Sequence, residues 1–402
     1  MSSSVHELRR RLRSLEEAID LQIVVLRHLE RQRSDVQNEL DSLRVPTGMA
    51  RLPPEISSDI LLQSIPTPPT WESLTTLLSV CRGWNALALA TPFLWSTITD
   101  TGVMNANFVH VLEKWLHRTG SLQLSLILRH INRTTFPRTL QTLEAHTPRI
   151  QNLHLSPLHD SDLKLMTYPF DGLRSLTIYG SRISPDLCVE LLRRTPNLMD
   201  LSLLQVKFHP ASTPMRLTHL TLQSLHLGRP GEWCWSETSI LRLLTLPALQ
   251  SLVISRNEVA VEDLFNFLTR SAPPLRHLHV RLQEEDAVND GIVACLQLVP
   301  GLIDLDILLG FYGDSHSSFD LWARSPKLLP GLRNLVIEEY YNHAAEGYRR
   351  VLAFLAERRG RLGSLQLILS DQVLDDAVAA ALRVFRDEGM DIHVGTWQKS
   401  FL

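Results

Sequence analysis

The sequence predicts a helical front followed by a parallel α/β repeat array, fold class α + α/β, and three observations carry that prediction. Residues 5–43 place apolar side chains at alternating spacings of three and four. A compact apolar signature lies between Leu52 and Ile98, around a Pro-rich hinge. From about residue 120 onward, the pattern Leu-x-x-Leu-x-Leu recurs nine times. A chain of 402 residues with 44% apolar content has material for more than one core. The expected boundaries are 1–45 for a heptad helix, 46–100 for a small helical unit, and 101–402 for a solenoid.

The first element follows a coiled-coil period. Its seam is Val5, Leu8, Leu12, Leu15, Ile19, Gln22, Leu26, Leu29, Arg33, Val36, Leu40 and Leu43, without a glycine or proline. Eight arginines balance eight carboxylates before residue 45, which excludes a basic arm for nucleic acid. Two outcomes stay open: a homodimer through residues 5–43, or a single helix that folds back or pairs with another protein. Pro46 and Gly48 end the helix.

The second element is built from Leu52-Pro53-Pro54-Glu55-Ile56, then Val80-Cys81-Arg82-Gly83-Trp84 after the hinge Pro66-Thr67-Pro68-Pro69, then Thr91 to Ile98. Fewer than 50 residues cannot bury many large apolar groups unaided. Some of Leu52, Ile56, Ile60, Leu61, Val80, Trp84 and Trp95 must therefore be covered by something else. This segment resembles the F-box, the module that docks onto the adaptor Skp1 in cullin-based ubiquitin ligases. The resemblance implies Skp1-binding anchors at Leu52, Pro53, Ile56, Ile60, Leu61, Val80, Cys81, Trp84 and Leu87. Ser57 and Ser64 stand where that family usually has apolar residues, and Leu61 replaces a frequent Phe.

The third element starts with a capping strand at Leu122-Leu124-Leu126. The nine recurrences begin at Ile150, Leu173, Leu198, Leu217, Leu249, Leu275, Leu302, Leu332 and Leu362, and a last strand is expected at Met390-Ile392-Val394. Prolines stand just upstream of six of them, at 148, 196, 247, 274, 300 and 330, where they stop a preceding helix. Helix-like stretches lie between, at Ser184–Arg194, Val261–Thr269, Tyr348–Glu357 and Asp375–Asp387. Strand, helix, strand at a repeating period predicts parallel strands lining one face. The pattern resembles leucine-rich repeats of the irregular kind found after F-boxes in fungal proteins, with only Asn257 at that family's ladder-asparagine position.

Alternation along each strand sends the third, fifth and seventh repeat positions to the open face. The chemically loudest are His277, His279 and Arg281 beside Asp304 and Asp306, either a recognition patch or neighbouring strands neutralising each other. Tyr179 and Trp233 complete the candidate substrate-binding set, Trp233 from an insertion at Gly228–Glu237. Gly310–Ser318, with Phe311 and Tyr312, is a weaker candidate. Arg349, Arg350, Arg358, Arg359 and Arg361 form a basic cluster whose default reading is a solvated helix face.

Net charge of −3 excludes an overall basic footprint. Four separated cysteines without a CxxC pair read as reduced, buried thiols of a cytoplasmic or nuclear protein. Neither a signal peptide nor a membrane-spanning run is expected. No phosphate loop, metal spacing or nucleophile motif occurs, so the expectation is a binding protein without cofactors, not an enzyme. The family resemblance implies a substrate-recognition subunit of an SCF-type ligase. It would bind Skp1, through it a cullin, and an unknown protein substrate. The alternative is a non-ligase scaffold or dimeric interaction module.

Overall fold

The computed structural model describes residues 2–43, 52–99, 106–208, 215–228, 237–282, 291–309, 328–339, 352–369, 376–396 and 400. The chain divides into two compact units. One holds residues 1–64 and 77–88; the other holds 65–76 and 89–402.

The first unit is helical. Helix α1 (Ser2–Leu43) runs 42 residues, about 63 Å at the usual rise. Helix α2 (Pro54–Ser64) opens on a proline in the position where a missing N–H costs nothing, and the carbonyl of Pro53 accepts from the Ser57 amide at 3.0 Å. Helix α3 (Trp71–Val80) reaches this unit with its last turn, and α4 (Arg82–Leu89) follows at once. Cys81 starts α4: its Sγ accepts the Trp84 amide at 3.5 Å, and the Asn85 side-chain amide donates to the Leu78 carbonyl at 2.9 Å.

The second unit mixes helices with a twelve-stranded, wholly parallel sheet. Its strands are β1 (Thr97–Thr99), β2 (Leu124–Leu128), β3 (Ile150–Leu155), β4 (Ser175–Tyr179), β6 (Asp200–Leu204), β9 (Ser224–Leu227), β11 (Ser251–Val259), β12 (His277–Leu282), β13 (Asp304–Leu309), β14 (Asn334–Glu339), β15 (Ser364–Leu369) and β16 (Asp391–Gly395). They lie side by side in chain order. Two accessory ladders pair β5 (Arg182–Ile183) with β7 (Lys207–Phe208), and β8 (Leu217–Thr218) with β10 (Leu244–Thr245). Helices α5 (Ala106–Arg118), α6 (Phe136–Glu144), α7 (Asp160–Leu165), α8 (Pro185–Arg193), α9 (Val261–Ser271) and α10 (Gly291–Gln297), with a last one at Asp376–Asp387, lie in the connections.

The leucine pattern explains the sheet. Leu153, Leu176, Leu201, Leu225, Leu252, Leu278, Leu305, Leu335, Leu365 and Ile392 stand in register across ten strands. None is more than 6% exposed. At each turn a backbone amide is handed to the preceding repeat, as from Arg276 to Gln250, Ile303 to Arg276 and Arg333 to Ile303, each at 2.8 Å. Gly172 sits so close to the Pro148 carbonyl that a Cβ would fall 2.1 Å from it, which excludes any side chain there. At the first edge Trp95 packs edge-on against Trp115 at 5.7 Å, with the Arg118 guanidinium 4.4 Å over the Trp95 ring. Trp95 is thus fully buried within the sheet unit, and the sheet begins before residue 101, at Thr97.

The fourth recurrence is misplaced by the sequence pattern. Leu217 lies in β8, Leu220 is 70% exposed, and the strand that enters the large sheet is Ser224–Leu227, carried by Leu222, Leu225 and Leu227. The two stretches share one spelling of the pattern. The correct one removes the outlying spacings of 19 and 32 residues and replaces them with 24 (198 to 222) and 27 (222 to 249). No described helix is long and apolar enough to cross a membrane.

Candidate partner-binding surfaces

Two surfaces carry the candidate residues, one on each unit. On the helical unit, Leu52 stands just before α2, and Ile56 and Ile60, four residues apart, share one side of it. They are 40%, 48% and 39% exposed, and Val80 at the end of α3 is 53% exposed. Pro53 and Cys81 are exposed as well, while Trp84 and Leu87 are half-buried. A neighbouring side of α2 is closed, with Ser57 and Leu61 buried, while the exposed Ser64 donates its hydroxyl back to the Leu61 carbonyl at 2.8 Å. Leu61 is therefore not available to a partner. It stands one turn beyond Ser57 on the inward side, and a fully covered side chain offers no contact area. Exposure of Cys81 also corrects the expectation of four buried thiols. Burial pushes the thiols of Cys188 and Cys295 up to about 12, and Cys234 lies outside the described residues.

On the sheet unit, parallel register aligns two rows across the open face. The first row reads Thr97, Ser125, Asn152, Ser175, Asp200, Ser224, Ser251, His277, Asp304, Asn334, Ser364 and Asp391. Every member is polar and none is buried. The second row contains His226, Val253, His279, Asp306, Val336, Gln366 and His393.

Register brings the predicted His and Asp residues together. His277 meets Asp304, whose other oxygen accepts from the Asn334 amide. His279 Nδ1 lies 2.6 Å from Asp306 Oδ2. Each pair faces across one strand boundary, where Cβ atoms stand about 5 Å apart.

Arg281 does not join them: it is only 3% exposed. Beside it β11 spends five residues from Val253 to Glu258 where β12 spends two from His279 to Arg281, so the ladder is interrupted there. The other seventh-position residues Ser156 and Ser255 are buried too. Alternation holds only while the backbone stays extended, and β3 has already ended at Leu155. The third position is therefore closed at β3, β11 and β12, while at β4 and β6 Tyr179 and Leu204 stay half-buried and paired in the sheet. Tyr179, half-buried, lies four strands from His277, roughly 19 Å away. Trp233, Phe311, Tyr312, Arg349 and Arg350 lie outside the described residues.

His226 completes this region, and the misplaced recurrence hid it from the sequence pattern. Its Nε2 lies 3.2 Å from Ser255 Oγ, and burial together with the charge of His279 holds its pKa below the usual histidine value. His219, expected on the open face, is buried; its Nε2–H donates to the Thr195 carbonyl at 2.9 Å. The basic cluster also divides. Arg358 is buried, with its guanidinium donating to the carbonyls of Leu328 and Leu329 and lying 4.8 Å over the Phe354 ring. Arg359 pairs with Glu388, and Arg361 is exposed. Among the described residues, no three His, Cys, Asp or Glu side chains are placed to hold a metal ion.

No family model matches the chain. Among curated proteins, the tubulin-specific chaperone cofactor E-like proteins of Rattus norvegicus and Homo sapiens are similar to it, at 30% and 29% identity over 138 residues. The match covers 33% of this chain and 32% of the length of each relative.

Proposed function

We propose that this chain is the substrate-recognition subunit of an SCF-type ubiquitin ligase. In this reading residues 52–98 act as an F-box that binds Skp1 and through it a cullin. The twelve-stranded sheet with its leucine ladder is a leucine-rich-repeat solenoid that captures a protein target. The subunit performs no bond chemistry and needs no cofactor; it raises the local concentration of target lysines near the charged conjugating enzyme. It works in the cytoplasm or nucleus.

The observation that carries the reading is that four apolar side chains of the helical unit, Leu52, Ile56, Ile60 and Val80, are between 39% and 53% exposed. Full burial of such a side chain contributes roughly 1.5–3 kcal/mol. Half-exposed groups contribute about 1 kcal/mol each, so four supply roughly a thousandfold in affinity. The first row of the sheet face, polar at all twelve positions, supports a protein ligand over an apolar small molecule, because it offers hydrogen-bond partners along a track. Co-purification with Skp1 tests the reading. The Ile56→Asp/Val80→Asp variant should lose the adaptor while its sheet unit melts as in the unmodified chain. Adaptor binding that survives the double substitution overturns it.

A second reading is a non-ligase scaffold that keeps the adaptor, or dimerises, without delivering substrates. The similarity to relatives named for a tubulin-specific chaperone cofactor favours keeping it, and it makes tubulin the first target to try. Capture of a cullin together with the adaptor supports the ligase; adaptor without cullin supports the scaffold.

A further inference from the structure

Along the stretch of α1 whose side chains are described, the apolar seam is exposed: Leu12, Leu15, Ile19, Leu26, Leu29 and Val36 are each between 54% and 62% exposed. A strict seven-residue repeat drifts around a straight helix by about 20° per heptad. Only a partner helix that supercoils with the same period can follow it. No other described helix exceeds the 13 residues of α5, too short to cover a seam that runs from Leu12 to Val36. We infer that α1 pairs with the α1 of a second copy of this chain, parallel and in register.

The flanking charges select that orientation. In a parallel pair, each residue just before the first seam position of a heptad meets the residue five further along on the partner helix. Arg11 then meets Glu16, an attraction made twice by symmetry. Ala18 meets Ile23, Gln32 meets Gln37, and Val25 meets Glu30. No like charges face each other among these pairs. Reversing one helix about the same seam centre sets Glu16 against Glu30 on both sides. It also sets Gln22 against Leu26, leaving an amide against an apolar neighbour. In the parallel pair Gln22 meets its own copy, and two amides satisfy each other. Arg33 also meets its own copy; this costs stability, and its long stem carries the charge outward. The resulting particle holds two copies of α2 and two sheet faces, so a target with two binding segments gains avidity without any new contact.

Sedimentation of the full chain with Cys81→Ser at about 10 µM tests the pairing, since a concentration far above a coiled-coil dissociation constant populates the dimer. The expected mass is twice 45.7 kDa, falling to 45.7 kDa in Ile19→Asp/Leu26→Asp. Arg11→Glu should weaken association about tenfold, as two attractive pairs become repulsive, and adding Glu16→Arg should restore it. Gln22→Cys should form a disulfide-linked dimer under mild oxidation. A monomeric unmodified chain overturns the inference, and so does a dimer that survives Ile19→Asp/Leu26→Asp. Crosslinking that appears only when Gln22→Cys is mixed with Leu26→Cys overturns the parallel orientation. Adaptor capture is read separately through Ile56, so either proposal can fail while the other stands.

Discussion

Ile254 and Ile56 are the same residue in two regions, 0% exposed in the sheet unit and 48% exposed on α2. The difference follows from how each region makes its core. In the sheet, each repeat lays its leucines against those of its neighbours, so Leu201, Leu225, Leu252 and Leu305 are covered by their own chain. Twelve consecutive strands make this closure cumulative. The helical unit has no such neighbour. A 42-residue helix with an apolar seam, and an eleven-residue helix with two exposed isoleucines on one side, leave apolar side chains in water. The sheet spends its apolar groups on stability and keeps polar ones outside; the helices keep apolar ones outside.

The largest effect that tests this contrast is Ile254→Asp. A carboxylate with no partner in a fully covered site costs more than about 4 kcal/mol, enough to unfold a typical domain. Far-UV circular dichroism at 25 °C should show loss of the sheet; a folded variant with near-normal melting would mean that the ladder is not the core. Next is Arg358→Met, which keeps the stem packed on Phe354 but removes donors from the carbonyls of Leu328 and Leu329. The expected loss is about 2 kcal/mol, read as a lower urea midpoint at unchanged slope. No change would make Arg358 the solvated surface residue that its sequence suggests.

Arg358 and His219 mark where sequence reasoning stops. Spacing alone gave α1, because a seam of threes and fours has no strand counterpart. The leucine pattern likewise gave the parallel sheet, because a period of two within repeats of 23 to 30 residues leaves little else. Two overlapping matches defeated it at one place. Leu217-Thr218-His219-Leu220-Thr221-Leu222 and Leu222-Gln223-Ser224-Leu225-His226-Leu227 satisfy the same rule, and only even spacing across repeats separates them. His226 was lost and His219 wrongly turned outward by that slip. His277 with Asp304, and His279 with Asp306, were legible because register is shared along the ladder. Arg281 and Arg358 were not. Their burial depends on an irregular strand and on carbonyls at a turn, neither of which leaves a mark in residue type.

Acid should weaken the sheet unit through the buried His219 and the half-buried His226. Burial lowers the pKa of His219 and of His226, the latter also through His279. Below the unfolded value of 6.5 the unfolded chain binds protons that the folded chain refuses, so unfolding gains as pH falls. The stability is complete above 6.5 and is lost as pH drops from there through the folded-state values. Thermal midpoints at pH 7.5, 6.5 and 5.5 should decline, and His219→Gln/His226→Gln should flatten the decline. An equally steep decline in the double variant would place the acid sensitivity elsewhere.

The smallest effect on folding is the most telling for function. Ile56→Asp introduces the same chemistry that destroys the sheet at position 254, but at the third residue of α2, half in water. A carboxylate there faces the unpaired amides at the helix N-terminus, which favours it by about 0.3–1 kcal/mol. That offsets the small loss of apolar contact, so the urea midpoint should move by less than about 0.5 kcal/mol. Docking energy responds in the opposite way, because an adaptor that covers this side must now strip water from a charge without pairing it. One substitution therefore separates a covered core from a surface awaiting a partner. A markedly destabilised Ile56→Asp would mean that α2 already uses this side within its own chain, and the contrast between the two isoleucines would disappear.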